Sequence, residues 1–467
     1  MGFLDRLFSR QAKPQGQRML EATSGKRWTS TPPFGSMAAE VAGGAARVRG
    51  RARHLRHNDP LAANAAAIYK TGLVGYGATA ASQHPDASTR SRIDERIAAW
   101  AAKTRFAEIQ TEIVDALVTD GEAIVVMRVD EAGELRLQHV PAEQLDESMT
   151  IELAGGGYIA NGVEFNTSDE IVAYHIFKTR LTDVFPSSQT PIRVPAEDVL
   201  HIFKREGAGQ HRGLSWFAPV VLPLNELSQL QDALLVSAKI QAMMCGFVQD
   251  LNGTGTAFAE GQQSGGIMDL SLEPGTMRVL PSGYSVTFSN PAQMQQSVDF
   301  ASHSIRLIAA GLQVPEFLLS GDMRNVNYSS ARTALVQFRQ HLEAIQFTLL
   351  VSKLFVPVYR RWLALADLNG SLEIGDDDGA AVEWFFPAMP WVDPKKDADG
   401  TAAMIAAGLM SRKQAVAALG FNIEKLDAEI AADRKRENAL GLSFEQSPAL
   451  AAESDKKEEK NDAEDDE

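Results

Sequence analysis

The 467 residues hold one cysteine, Cys245. A lone thiol cannot close a disulfide within the chain, which excludes a disulfide-stapled scaffold and points to a reducing compartment. Its neighbours form an apolar helical run, the setting of a small buried hydrophobe and not of a nucleophile. Long apolar runs are missing as well. No stretch approaches the roughly 18 to 20 residues of a membrane span, so no membrane partner is expected. Met1 to Phe8 has neither a long apolar region nor a small-residue cleavage site, and Arg6 stands where myristoylation of Gly2 prefers Ser or Thr. Catalytic signatures are also lacking. The nine histidines are scattered, and no HExxH, GxSxG or Walker pair occurs. His201, His211 and His341 read as satisfied structural residues, and Gly155-Gly156-Gly157 lacks the spacing of a phosphate cradle. Asp393, Asp397, Asp399 and Gly400 make a poor calcium loop, because that register puts Lys395 first and Ala406 last, where carboxylates are needed. Asp376-Asp377-Asp378 reads as a solvated turn without a second acidic motif to complete a two-metal site. No enzyme activity, cofactor or metal is expected.

What is present is globular: 45% hydrophobic and 22% charged residues, enough chain for two or three domains. The formal charge of −15 is unevenly spread. Residues 1 to 57 carry eleven Lys or Arg against three Asp or Glu, a balance of +8, while the last seventeen carry nine acids against three lysines, a balance of −6. A net acidic protein has few cations with which to release counterions from phosphates, so DNA that meets it should slide.

Residues 9 to 36 are polar and broken by Pro and Gly, an extended arm. Arg47, Arg49, Arg51, Arg53 and Arg56, with His54 and His57, form the most basic patch, readable as a nucleic-acid surface, a solvated helix face or the match to an acidic partner. An Ala-rich helix follows from Leu61 to Tyr69. Ile93, Ile97 and Trp100, then Phe106, Ile109, Ile113 and Leu117, predict two helices parted near Lys103-Thr104. Short β-type runs come next at 123–129, 135–139, 158–165, 171–177 and 199–203, with turns at Gly133 and Asn161-Gly162. Helices followed by strands predict an α+β fold and not an alternating Rossmann order. Trp216 to Met244 reads as a long amphipathic helix, and 246–291 as a small β-containing excursion that returns beside its start. Val382 to Phe386 reads as a strand able to rejoin the earlier sheet, and 401–438 as short Ala-rich helices. The charged tail from Ala451 lacks the apolar surface to order itself.

The chain is organised around Val298 to Leu350. Val298, Ala301, Ile305, Ile308 and Leu312 line one helix face, closed by Gly311 and Pro315. Ala331, Leu335, Phe338, Leu342, Ile345 and Leu349 line a second, with Ser329 expected as its N-cap. Between them lies a polar loop that contains Ser320 to Asn327. Pro315-Glu316-Phe317-Leu318-Leu319-Ser320-Gly321 and Asn327-Tyr328-Ser329-Ser330-Ala331-Arg332 closely resemble the segment of tailed-phage portal proteins, most of all the lambda-type branch, where a stem helix turns into the channel and returns as a long wing helix. Met389 to Lys396 and Gly408 to Gln414, continuing through Leu419-Gly420, extend the likeness, which covers roughly residues 40 to 445.

The resemblance implies a portal-type fold assembled as a dodecameric ring. The expected parts are a flexible N-terminal arm (1–37), a wing of helices then β-structure (38–215), a stem helix (216–245), a clip (246–292), a second stem helix (293–315) and a tunnel loop (316–328). A long, kinked wing helix with a returning strand (329–394), a helical crown (395–445) and a disordered acidic tail (446–467) follow. Leu227, Leu234, Val298, Ile305 and Leu312 are expected to pack the stem. Met323, Arg324, Asn325, Val326 and Asn327 are expected to face passing double-stranded DNA. The implied partners are the terminase large subunit, the capsid protein and a head-tail adaptor, at the capsid vertex of a virion assembled in the bacterial cytoplasm. The alternative is a DNA-associated adaptor or binding module that uses the basic N-terminal arm.

Overall fold

The computed structural model describes residues 35–178, 190–242, 246–250, 263–264, 267–268, 284–288, 293–324, 326–372, 381–391 and 393–442. Helices α1 (Met37–Asn58) and α2 (Pro60–Leu73) are separated at Asp59-Pro60. The Asp59 carboxylate accepts the Ala62 N–H at 2.9 Å, and proline at the first helical position has no N–H left to satisfy. After strand β1 (Thr79–Ser82), α3 (Ala87–Thr104) and α4 (Phe106–Thr119) meet at Arg105, whose φ of 52° ends one helix and starts the next. The predicted break is there, one residue later than expected.

The strands between Glu122 and Phe203 form two antiparallel sheets. β2 (Glu122–Val129) lies between β3 (Leu135–Val140) and β9 (Val199–Phe203). The five-stranded sheet runs β4 (Ile151–Glu152), β5 (Tyr158–Ala160), β6 (Val163–Phe165), β7 (Ile171–Ile176) and β8 (Ile192–Pro195). Alternation along β2 explains the layering, because successive side chains point to opposite faces. Ala123, Val125 and Met127 enter the main helical core, whereas Ile124 and Val126 enter a second core with Leu145, Val163, Phe165 and Tyr174. Strands β1, β4 and β8 escaped the sequence reading, being at most four residues long.

The chain crosses itself where β2 begins. A Cβ on Gly121 would lie 2.1 Å from the Leu214 carbonyl carbon, and one on Gly213 would lie 2.3 Å from the Gly121 oxygen. Glu122, at this crossing, is buried with Arg49, Arg212 and His201. Its carboxylate accepts from Arg212 Nε at 3.0 Å, His201 Nε2 at 3.0 Å and the Gly213 N–H at 2.8 Å. Arg212 and Arg49 both reach on to Glu147, which ties α1 and the 211–215 segment to the turn that leads into β4 of the five-stranded sheet. Burial alone would raise the Glu122 carboxyl, but the Arg212 charge and the His201 hydrogen bond outweigh it and hold the group ionised.

α5 (Val221–Ala242) leads away from the core built by α1 to β9, for which the name wing is kept from the resemblance, and α6 (Gln293–Gly311) leads back to it; the pair keeps the name stem. Between them β10 (Gly246–Asp250) pairs antiparallel with β13 (Tyr284–Phe288), which brings the ends of the excursion together, and β11 (Gln263–Ser264) pairs with β12 (Ile267–Met268). After α7 (Glu316–Ser320), one helix runs 41 residues, Tyr328–Leu368. It comprises α8 (Tyr328–Ile345), a π-helical stretch Gln346–Phe355 and α9 (Val356–Leu368). The wider turns precede Pro357, whose ring would otherwise meet the carbonyl of an ordinary preceding turn. The N-cap is Asn327 and not Ser329: its side chain accepts the Ser330 N–H at 2.8 Å. Contrary to the sequence expectation, part of this helix matches a membrane span in length and apolar character. Half of that part is buried, with Leu342, Leu349, Leu350, Leu354 and Phe355 in the wing core, so packing accounts for its composition.

β14 (Val382–Phe385) does not rejoin either wing sheet. It pairs with β1, Thr79 opposite Phe385 and Ser82 opposite Val382, because Trp384 stacks on Phe355 of the long helix at 4.6 Å and keeps the strand on the helical layer. The last three helices, α10 (Pro394–Ala406), α11 (Arg412–Ala418) and α12 (Ile423–Leu440), cover the stretch expected as a crown, a name kept for it here, and bury only Ala415 and Val416 among the described residues. Ion pairs fasten it to the wing: Arg332 with Asp397 at 2.5 Å, Arg90 with Glu424 at 3.0 Å and Lys425 with Asp94 at 3.5 Å.

Candidate DNA-facing loop and stem surface

The loop 321–327 is held from behind by the wing. Tyr69 of α2 donates to the Leu312 carbonyl at 2.6 Å, and Asn64 donates to the carbonyls of Leu318 and Leu319, both at 2.8 Å. Tyr69 is itself wedged edge-on against Trp216 and Phe338. α6 can end beside α5 because Gly311 has no side chain: a Cβ there would lie 2.5 Å from Val220. Gln313, at φ 57°, turns the chain, and Gly321, at φ 71°, ends α7. Neither Asn64 nor Tyr69 carries a sequence signal, since nothing local says which distant carbonyl a polar side chain will meet.

Within the loop, Asp322 and Arg324 form one unit. The Asp322 carboxylate accepts the Arg324 backbone N–H at 3.0 Å, its Nε at 3.0 Å and its terminal guanidinium nitrogen at 2.7 Å. Those bonds bring the Asp322 carboxyl down to about 2 and raise the Arg324 guanidinium. The sequence reading singled out Arg324 without its partner, although an Asp two residues before an Arg is a recognisable side-chain turn. Met323 and Arg324 are exposed. Val326 is half-buried, and Asn327, though exposed, uses its side chain to cap α8. Asn325 lies outside the described residues.

The stem residues divide by position along the helices. Leu227 and Leu312 are buried near the wing, and Ile305 and Leu234 are half-buried. Val298 is not packed as expected, being 57% exposed: it shares the face of Ile305 and Ile308 but lies beyond the reach of the core that covers them. It has company: Leu222, Leu235 and Val236 on α5 and Phe300 and Leu307 on α6 are between 54% and 63% exposed. Cys245 and the side chains of the clip lie outside the described residues.

The basic patch is no free arm. Arg49 is buried in the Glu122 cluster, Arg53 pairs with Asp120 at 2.7 Å and Glu143 at 2.8 Å, and Arg56 pairs with Asp115 at 3.2 Å. Only Arg47 and Arg51 of the five are exposed on α1. The helix answers the acidic side of α4 and the 141–147 segment, which removes the ground for a DNA-binding module built on it. His201 and His211 have the structural roles expected, bonded to Glu122 at 3.0 Å and Asn161 at 3.1 Å. Asp393 caps α10 and Asp397 pairs with Arg332, so both carboxylates have structural work. No cluster of metal-ligating side chains occurs among the described residues.

Comparison with known proteins places these parts in one group. A family described as "Phage portal protein, lambda family" matches residues 23–346. The chain is 26% identical over 353 residues to the probable portal protein of Halomonas phage phiHAP-1, an alignment spanning 73% of this chain and 67% of that one. It is 24% identical over 328 residues to portal protein B of Escherichia phage lambda, spanning 62% and 60%. Among solved structures it is similar to a chain in the neck of an empty gene transfer agent particle, at 18% identity and a TM-score of 0.43 over 86% of this chain and 98% of that one. A portal protein from Corynebacterium diphtheriae gives 14% identity and a TM-score of 0.32 over 62% and 85%. The chain belongs to the lambda family of phage portal proteins, and is a structural component of a virion.

Proposed function

We propose that copies of this chain stand side by side as a dodecameric ring at one capsid vertex, with stems α5 and α6 surrounding a bore and the loop 321–327 turned towards it. Double-stranded DNA passes through non-specifically, driven inward by the terminase large subunit; a head-tail adaptor takes the motor's place afterwards. The role is scaffolding and not catalysis. The observation that carries the ring is the stem surface. Six large apolar side chains, Leu222, Leu235, Val236, Val298, Phe300 and Leu307, stand open to solvent on two adjoining helices of an otherwise acidic chain. Large apolar side chains left open on several faces of both helices are what neighbouring copies would cover in a closed ring. Negative-stain imaging of purified protein tests this: rings with a central hole are expected, and a monomer at assembly concentrations would overturn it.

A further inference from the structure

The geometry points to Asp322 as a built-in counter-anion that occupies Arg324 and so keeps the loop from gripping DNA. The inference rests on the reading of 321–327 as the bore-facing loop. The bond set is what a phosphate would otherwise receive. One carboxylate takes the backbone N–H, Nε and a terminal nitrogen of the same arginine, in a two-pronged arrangement that carboxylate and phosphate share. Asp322 is fixed behind it: its own N–H donates to Ser320 Oγ at 3.1 Å, and Ser320 Oγ donates in turn to Glu316 at 2.9 Å. Exposure differs accordingly, with 84% of the Arg324 side chain open to solvent against 34% of Asp322. The cation is outward and the anion holds it from beneath.

The loop Gly321 to Asn327 contains one acid and one base, so each copy is neutral as a unit. Affinity for duplex DNA comes from cations that replace condensed counterions, and an arginine already paired with carboxylate replaces few. A ring of such pairs can meet every phosphate that passes without detaining any. Removing the anion should convert a guide into a brake.

The test uses assembled rings and a short labelled duplex, with binding followed across a salt series and ring integrity checked by negative-stain imaging. Asp322→Asn should tighten binding several-fold and steepen the slope of log affinity against log salt by about 0.9 for each arginine that reaches a phosphate. Adding Arg324→Ala to it should cancel both changes. Asp322→Ser serves as a second variant if asparagine disturbs the turn, and should behave alike. If the tightening persists in the double variant, the gain comes from loss of negative charge in general and the masking role is overturned. If Asp322→Asn matches wild type while Arg324→Ala alone weakens binding, the arginine is already free in the ring; the mask fails and the bore-facing loop stands. If all variants bind as wild type does, the loop does not meet DNA, and the reading beneath the proposal fails with it.

Discussion

The wing and the stem share helices yet are held together in opposite ways. In the wing, α2 buries Ala62, Ala65, Ala66, Tyr69 and Leu73, and even the charges of Glu122, Arg49 and Arg212 are enclosed and mutually satisfied. Along the stem, no residue of α5 from Ser228 to Lys239, and none of α6 from Ser297 to Leu307, is fully buried. Among the described residues, the fully buried positions of the two helices lie at the wing end: Val221, Leu224 and Leu227 on one side and Ile308 and Ala309, with Leu312 just beyond, on the other. Burial of apolar surface is the main source of fold stability. The wing therefore owns its stability, whereas the stem's must come from its surroundings.

The severest way to break that contrast is to unbalance the wing's charge cluster. Glu122→Ala leaves Arg212 and Arg49 buried with the partly exposed Glu147 as their remaining shared carboxylate and takes the acceptor from His201, and should cost about 3–5 kcal/mol. Urea unfolding of the variant measures this, and a loss below about 1 kcal/mol would mean that water reaches the cluster. A milder strain comes from acid. Burial pushes the His201 imidazole below its ordinary value of 6.5, so the unfolded chain takes up that proton more readily than the folded one. Stability should therefore decline as pH falls below about 6.5. Glu122 adds to the loss further down, since its carboxyl is held below the ordinary value in spite of burial. His201→Gln, which can still donate to Glu122, should remove the histidine part of the decline, read from unfolding midpoints on either side of neutrality.

The stem should answer differently. Leu235→Asp and Phe300→Asp replace exposed side chains, so the protomer's unfolding should move by no more than about 0.5 kcal/mol. Ring formation should nevertheless be lost, as followed by mass photometry; intact rings would show that these positions remain in solvent after assembly. The smallest response is expected at the crown. Arg412 and Asp427 pair at 2.6 Å, both about half exposed, and Arg412→Ala should change thermal stability within about 0.5 kcal/mol. A large change there would mean that the crown couples to the core more tightly than its ion pairs suggest.

Periodicity made much of this readable in advance. The helix pair around Arg105, the apolar stripe of the long helix and six of the wing strands, β5 and β6 within one run, follow from spacing alone, because a face that must be buried repeats at a fixed interval. What escaped lies where the cause is distant or very short. Strands β1 and β8 exist through pairing with partners that the chain meets elsewhere, and β14 went to β1 because of Trp384 stacking on Phe355. The arginines of α1 leave three readings open, a nucleic-acid surface, a solvated face or the match to an acidic surface, since composition cannot show that acids from α4 and the 141–147 segment close over them. Val298 fits the stripe of α6 perfectly in phase and is still exposed, because a stripe says which way residues point and not whether anything is there to meet them. Asp322, two residues before Arg324, was within reach of a local reading.

At the crossing of Gly121 and Gly213, each missing side chain would run first into peptide backbone, and one on Gly213 would also meet the Cβ of the buried Glu122. Room for a larger residue is ordinarily made by trimming its neighbour, but here the neighbour has nothing to trim. Gly121 also has a φ of 92°, a conformation that residues with a Cβ rarely adopt. No second-site change can then rescue a substitution at either glycine. As such a protein drifts through generations of selection, its stem and crown can exchange residues in compensating pairs, while these two positions stay locked and mark where the chain threads past itself.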